Sequence, residues 1–180
     1  MNKILSKEQI EKILQNIHNL KYRTMISLVY GSGMKLSEIL KLTVNDIDIE
    51  NLTIHIKGEN GKDRFSIFPK RLVNDLNSFI SKRKTNDLLF PADSNYSLSN
   101  NKAKLTQQGV RAAFRKAREQ AGIAGEFSVN SLRKSFAVHM LENGVSTNVV
   151  QELLGFENSD SMQLYQKLAK KGMRKLQSPF

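Results

Sequence analysis

Apolar residues recur at helical spacing along nearly all of this 180-residue chain and alternate singly in only one place. A period near 3.6 buries one stripe of a helix and a period of two buries one face of a strand, so an α+β, mainly α-helical chain is predicted. The alternating stretch runs from Leu52: Thr53, Ile54, His55 and Ile56, then the turn residues GENG, then an apolar strand from Phe65 to Phe68. This predicts a small antiparallel β-hairpin, too little strand for a sheet-dominated fold.

The helices carry their own start and stop signals. Ser6 with Gln9 is a capping box before Ile10, Ile13, Leu14 and Ile17, which predicts helix over residues 6 to 18. Tyr22, Met25, Ile26, Val29 and Tyr30 form a second apolar face, stopped at Gly31 and Gly33, after which Ser37 is placed to cap a short helix with Ile39, Leu40 and Leu42. Pro69 ends the hairpin, and Leu72, Val73, Leu76, Phe79 and Ile80 describe a further helix ending in Lys82, Arg83 and Lys84. LLFP reads as a short strand or turn, and residues 91 to 105 as a polar surface loop. Thr106 caps a helix whose Val110, Phe114, Ala117 and Ala121 face inward. Three more helices are predicted at 128 to 142, 146 to 154 and 158 to about 170, the first two closed by Gly144 and Gly155. With no repeat and no linker, residues 1 to 180 read as one domain with a basic tail at 170 to 180, where Met173, Leu176 and Phe180 are apolar anchors.

Lys and Arg number 28 against 17 Asp and Glu, a net charge of +11 that favours a polyanionic partner such as nucleic acid. Position adds to this. Lys57, Lys62 and Arg64 flank the hairpin tip, within reach of a DNA groove, and Arg111, Arg115 and Arg118 share one helix face suited to a run of phosphates. Lys134 adds a cation on a later helix. An ordinary charged hairpin tip and a solvated helix face are the competing interpretations. The absence of cysteine excludes disulfides, thiol catalysis and thiolate metal sites. No apolar signal core opens the chain and no apolar run approaches the ~20 residues of a membrane span, so a cytoplasmic location away from membranes is expected.

One stretch carries chemistry. Residues 127 to 165, FSVNSLRKSFAVHMLENGVSTNVVQELLGFENSDSMQLY, hold Arg133 early on a helix and Tyr165 late. A tyrosine hydroxyl can attack a phosphodiester, and a guanidinium can hold the charge that develops on the phosphate oxygens. Taken in order, GSGMKLSEILKLTVNDID, the hairpin GENGKDR, SLRKSFAVHMLENGVSTNVVQELLGF and a tyrosine nine residues on resemble a tyrosine recombinase of the phage-integrase and Xer type. The resemblance runs from about Leu5 to Leu168 and covers that family's catalytic domain alone, a minimal layout similar to the fimbrial inverting recombinases.

The resemblance implies the tyrosine recombinase catalytic-domain fold, double-stranded DNA as partner, and cleavage and rejoining through a 3′-phosphotyrosine link without metal or cofactor. It also implies a monomer when free, a tetramer on DNA with the tail passed to a neighbour, and association with the nucleoid. Residue by residue, Tyr165 falls on the nucleophile and Arg133 on the family's second arginine. Lys35 stands at the first arginine, within GMKLSE, with Glu38 as the acidic neighbour. The gapless match of the hairpin puts Glu59 at the lysine, leaving Lys57 or Lys62 to serve by a shifted turn. Asn130 stands at the histidine three residues before the second arginine, Phe156 at the histidine or tryptophan after LLG, and His139 at a structural histidine. Lysine supplies a point charge without the guanidinium fork, Asn130 cannot accept the tyrosine proton, and Phe156 keeps the packing of tryptophan but not its N–H. The alternative is a catalytically impaired or silent DNA-binding regulator on the same scaffold.

Overall fold

The computed structural model describes residues 4–58, 61–81, 83–91, 105–156 and 160–173. Glu59, Lys82, most of the 91 to 105 loop, the start of the last helix at Asn158 and the tail from 174 lie outside them.

Helix α1 (Lys7–Gln15) begins at the capping box read from the sequence: Gln9 N donates to Ser6 Oγ at 3.2 Å and Ser6 N to Gln9 Oε1 at 3.0 Å. Helix α2 (Leu20–Ser32) ends on Gly33, whose φ of +65° suits glycine. A Cβ at Gly33 would lie 2.6 Å from the Phe136 ring and 2.9 Å from Leu154, so this glycine also lets the end of α2 approach two later helices closely. The short helix α3 (Leu36–Ile39) starts two residues earlier than expected: Lys35, not Ser37, is its N-cap, because Glu38 reaches back to accept from Lys35 N at 2.7 Å.

The expected hairpin is present with a third strand. β1 (Ile47–Asp48) pairs with β2 (Thr53–Ile56), which pairs with β3 (Arg64–Ile67), giving an antiparallel sheet in the order β1-β2-β3. Two residues of β1 are too few to show a period. The apolar pattern of β3 misleads, since Phe65 is 65% exposed while Ser66 is buried and donates to Ser32 O at 2.7 Å. Register decides this: Ser66 opposes the buried Ile54, so Phe65 and Ile67 fall on the outer face with His55 and Thr53.

After Pro69 a 3₁₀ turn (Lys70–Leu72) leads into α4 (Val73–Ile80). LLFP makes only a bridge, Leu88 to Thr43, and drops Leu89 and Phe90 into the core. Helices α5 (Gln107–Gln120), α6 (Val129–Glu142), α7 (Thr147–Leu154) and α8 (Asp160–Met173) complete the described chain. Thr106 and Ser146 cap α5 and α7, and Gly155 ends α7 at φ +64°.

The core divides in two. One part takes Leu5, Ile10, Met25, Ile26, Ile54, Leu76, Phe114 and their neighbours from α1 to α5 and the sheet. The other joins Phe136, Val138 and Leu141 of α6, Val150 and Leu154 of α7, and Met162, Tyr165 and Ala169 of α8. Tyr30 packs against both, and its hydroxyl meets His139 Nδ1 at 2.9 Å, which gives His139 the structural role expected of it. Helix α6 packs against both α2 and α8, and so carries the connection between the two parts.

Candidate active site

The end of α2, the end of α7 and the first turns of α6 meet at one side chain. Arg133 is buried on α6, with Nη1 donating to Gly33 O and Nη2 to Leu154 O at 2.6 Å. Both acceptors sit at helix C-termini, where carbonyls lack partners within the helix and carry partial negative charge. Burial lowers the guanidinium's pKa to about 10, with Glu38 and Tyr165 pulling it back up and Arg64 adding to the fall. Arg133 remains a cation at neutral pH.

Phe156, one residue past Gly155, lies over Arg133 with Cζ 5.1 Å from its ring centroid. Its other neighbour is Tyr165 of α8, with ring centroids 6.2 Å apart and planes 28° from parallel. Arg133, Phe156 and Tyr165 therefore form one stack. Tyr165 is 7% exposed, and burial raises its phenol pKa against the pull of Arg133. Its phenol is therefore held protonated at neutral pH, beside the aromatic ring of Phe156.

Phe156 also forms part of the wall of an open cleft of about 670 Å³. On one side stand Lys35, Ser37 and Lys41 around α3, with Lys57, Lys62 and Asp63 at the hairpin; on the other stand Asn148, Gln151 and Glu152 of α7. Lys35, Lys41, Lys57 and Lys62 are all exposed. Beneath them Arg64 donates Nη1 and Nη2 to the two carboxylate oxygens of Glu38 at 2.8 and 2.9 Å, and Nε to Leu153 O at 3.0 Å. Burial alone would raise the Glu38 pKa; the hydrogen bonds from Arg64 and the Lys35 amide, with the charges of Arg64 and Arg133, lower it below the ordinary carboxylate value.

Residues 3–171 match the phage integrase family. The chain belongs to the phage integrase family. Among similar proteins, the tyrosine recombinase XerA of Thermococcus onnurineus is 35% identical over 97% of this chain and 61% of its own length. XerA of Pyrococcus horikoshii is 31% identical over 96% of this chain and 59% of its own length. The chain thus spans 59% and 61% of the length of these curated relatives. A solved XerH site-specific recombinase, bound to palindromic difH substrate in a post-cleavage complex, superposes with a TM-score of 0.80 at 25% identity, over 97% of this chain and 52% of that one. A XerA recombinase superposes at 0.78 and 22% identity over 97% and 66%, which shows the shared fold. These matches accord with the tyrosine recombinase catalytic-domain fold expected from the motif order.

Within this integrase-family fold the structure brings together Arg133, Phe156 and Tyr165, and sets Lys35, Lys57 and Lys62 in the cleft that Phe156 borders. Asn130 is exposed in the first turn of α6, one turn before Arg133, and Lys134 is exposed beside Arg133. Two expected DNA-binding arginines are otherwise engaged. Arg64 is locked onto Glu38 with 11% of its side chain exposed, so it braces the cleft floor and does not extend from the hairpin tip. Arg118 donates to Gly125 O at 2.6 Å and Phe127 O at 3.3 Å, clasping the loop before α6, so the stripe on α5 reduces to Arg111 and Arg115. Arg111 donates to Gln107 Oε1 at 2.8 Å, and both arginines are exposed. Sequence reasoning missed Lys41, Asn148 and Gln151 in the cleft and the buried Asp46, which holds Lys57 Nζ at 3.0 Å. Nothing local signals these residues: Lys41 lies six positions after Lys35, off its helical face, and the others come from separate elements.

Proposed function

We propose that the chain is the strand-cleaving and rejoining part of a site-specific recombinase that acts on double-stranded DNA. The observation that carries the proposal is the stack of Arg133, Phe156 and Tyr165 on the border of a lysine-lined cleft. The exposed lysines attract the phosphodiester backbone, and charge neutralisation there releases counterions. Arg133, with two donors fixed on carbonyls, offers remaining N–H groups to the non-bridging oxygens, where negative charge spreads in the transition state. Lys35 adds a second positive charge to the same phosphate, without the bidentate geometry of a guanidinium. Tyr165 Oη attacks phosphorus, the bond to the 5′-oxygen breaks, and a 3′-phosphotyrosine holds the strand until a 5′-hydroxyl attacks in return. For that attack Tyr165 leaves its place under Phe156, so uncovering of the ring gates the chemistry.

Related proteins support the partner: a XerH recombinase has been solved on its difH substrate, and a lambda integrase dimer on a COC′ core site. Arg111, Arg115 and Lys134 supply contacts to the flanking backbone, and four copies assemble on paired sites from a monomeric free protein.

The test begins with duplexes of randomised core sequence selected for binding to the protein, then rebuilt with a nick that traps the cleaved strand. Wild type forms a covalent protein–DNA adduct on a denaturing gel, and Tyr165→Phe binds the same duplex without forming it. A wild type that binds with strong salt dependence and never links, or an adduct that survives in Tyr165→Phe, refutes the proposal; the first outcome identifies a silent DNA-binding protein.

A further inference from the structure

Two glutamines that the proposed chemistry leaves unused hold the stack of Phe156 and Tyr165 at its two ends. Gln151, on α7, engages both backbone groups of Phe156: its main-chain oxygen accepts from Phe156 N at 3.2 Å, and its side-chain Nε2 donates to Phe156 O, also at 3.2 Å. The first bond belongs to the turn that closes α7 at Gly155 and needs no side chain. The second requires the Gln151 amide, and with it Phe156 is pinned on both sides of its Cα. Gln166 directly follows Tyr165 on α8, and its Nε2 donates to Thr147 Oγ1 in the first turn of α7 at 2.6 Å. Both glutamines are half-buried and border one crevice of about 430 Å³ between α7 and α8.

The packing around Tyr165 makes its release a local event. Met162 and Ala169, about one turn to either side on the same face of α8, are buried in the cluster shared with α6 and α7, so they anchor the helix as a whole. What remains to hold the phenol ring itself is its contact with Phe156 and the Gln166 bond beside it. Neutral amides suit a reversible hold. Each such bond contributes only about a fivefold factor to an equilibrium, whereas the bonds of Arg133 are charge-assisted and keep that side chain in place.

From this geometry we propose that Gln151 and Gln166 are positioning residues for the resting nucleophile. Gln151 keeps Phe156 against the Tyr165 ring, Gln166 keeps the adjoining turn of α8 on α7, and together they set the fraction of molecules whose hydroxyl is free. The assignment rests on the recombinase function proposed above, in which Tyr165 leaves Phe156 before it attacks. A bond present only at rest lowers the free fraction, so its removal raises the rate of every reaction that needs a free hydroxyl. Arg133 keeps its own carbonyl partners when Phe156 moves, so the phosphate site is preserved.

Two measurements on the full chain test this, one without DNA. The free protein is treated with N-acetylimidazole at neutral pH, and acetylation of each tyrosine is followed by peptide mass spectrometry. Gln151→Met and Gln166→Met keep side-chain length without an amide, and each is expected to speed acetylation of Tyr165 about fivefold while Tyr22 and Tyr30 react as in wild type. Thr147→Val is expected to match Gln166→Met, and the two together to do no more than either alone, since they remove one bond. The same variants are expected to raise single-turnover adduct formation on saturating selected duplex about fivefold. An unchanged Tyr165 rate, or a rise that Tyr22 and Tyr30 share, overturns the positioning role, because general loosening would expose all three. Faster acetylation with adduct formation unchanged or slower overturns the link to the chemistry. A wild type that never links to the duplex overturns the recombinase function, and acetylation then still decides what holds Tyr165.

Discussion

Replacing Arg64 by methionine strands a carboxylate in the floor of the cleft. In the native protein Glu38 receives both Arg64 Nη groups at 2.8 and 2.9 Å, and only 11% and 12% of the two side chains are exposed. After Arg64→Met it keeps the Lys35 amide alone, and Leu153 O loses its donor. Removing one partner of a buried pair costs about 3–5 kcal/mol, and the residual exposure sets the expectation at the lower end, about 3 kcal/mol. For a chain of this size each kcal/mol moves the melting temperature by about 2–4 °C, so Arg64→Met should melt about 9 °C below wild type at pH 7. Circular dichroism melts measure this directly. The pH dependence has a definite sign. The Glu38 pKa is below its ordinary value of 4.5, so the pair's contribution is complete above that value and is lost as pH falls through the folded-state pKa. The two melting curves should therefore converge in acid. A double variant, Glu38→Leu with Arg64→Met, should recover part of the loss because no charge is left unpaired. A variant melting within about 2 °C of wild type at pH 7, or a gap unchanged by acid, refutes the assignment of Arg64 as the brace.

Lys35→Arg should raise the single-turnover rate of adduct formation by about tenfold, since a planar fork binds two phosphate oxygens where lysine offers one point of charge; an equal or lower rate on the selected duplex counts against Lys35 as a phosphate ligand. Arg115→Ala should weaken duplex binding uniformly across sequences and reduce the slope of log affinity against log salt by about one, read from fluorescence anisotropy titrations. An unchanged slope removes α5 from the DNA interface. Gly33→Ala should destabilise by about 3 kcal/mol, combining the strained φ of +65° with a clash against Phe136 and Leu154, and a melt equal to wild type would show that α2 and α6 can separate freely.

Much of the fold was legible because its signals are local. Ser6 caps through Gln9, Thr106 through Gly109 and Ser146 through Val149, each across three residues, while Gly33 and Gly155 end helices through their own backbone angles. Such interactions depend on little beyond neighbouring residues, so sequence order alone places them. The same holds for the spacing from Arg133 through LLGF to Tyr165, which set the family and, with it, the expected chemistry. Signals that needed more chain were lost: the two residues of β1 show no period, and the apolar residues of β3 face outward because pairing register, not composition, assigns the faces.

The disposition of charge was decided by tertiary structure. Arg64 and Arg118 look in sequence like Arg111 and Arg115, yet one meets Glu38 across 26 residues and the other clasps the carbonyls before α6. Arg133 finds Gly33 O across 100 residues, and Lys57 finds a carboxylate that no motif marks. A cation is strongly attracted to whichever oxygen packing brings near it, because partial burial weakens the competing solvation by water. Sequence by itself determined which elements form and which family they build. Only their packing determined that Tyr165 rests against Phe156 and which cations line the cleft.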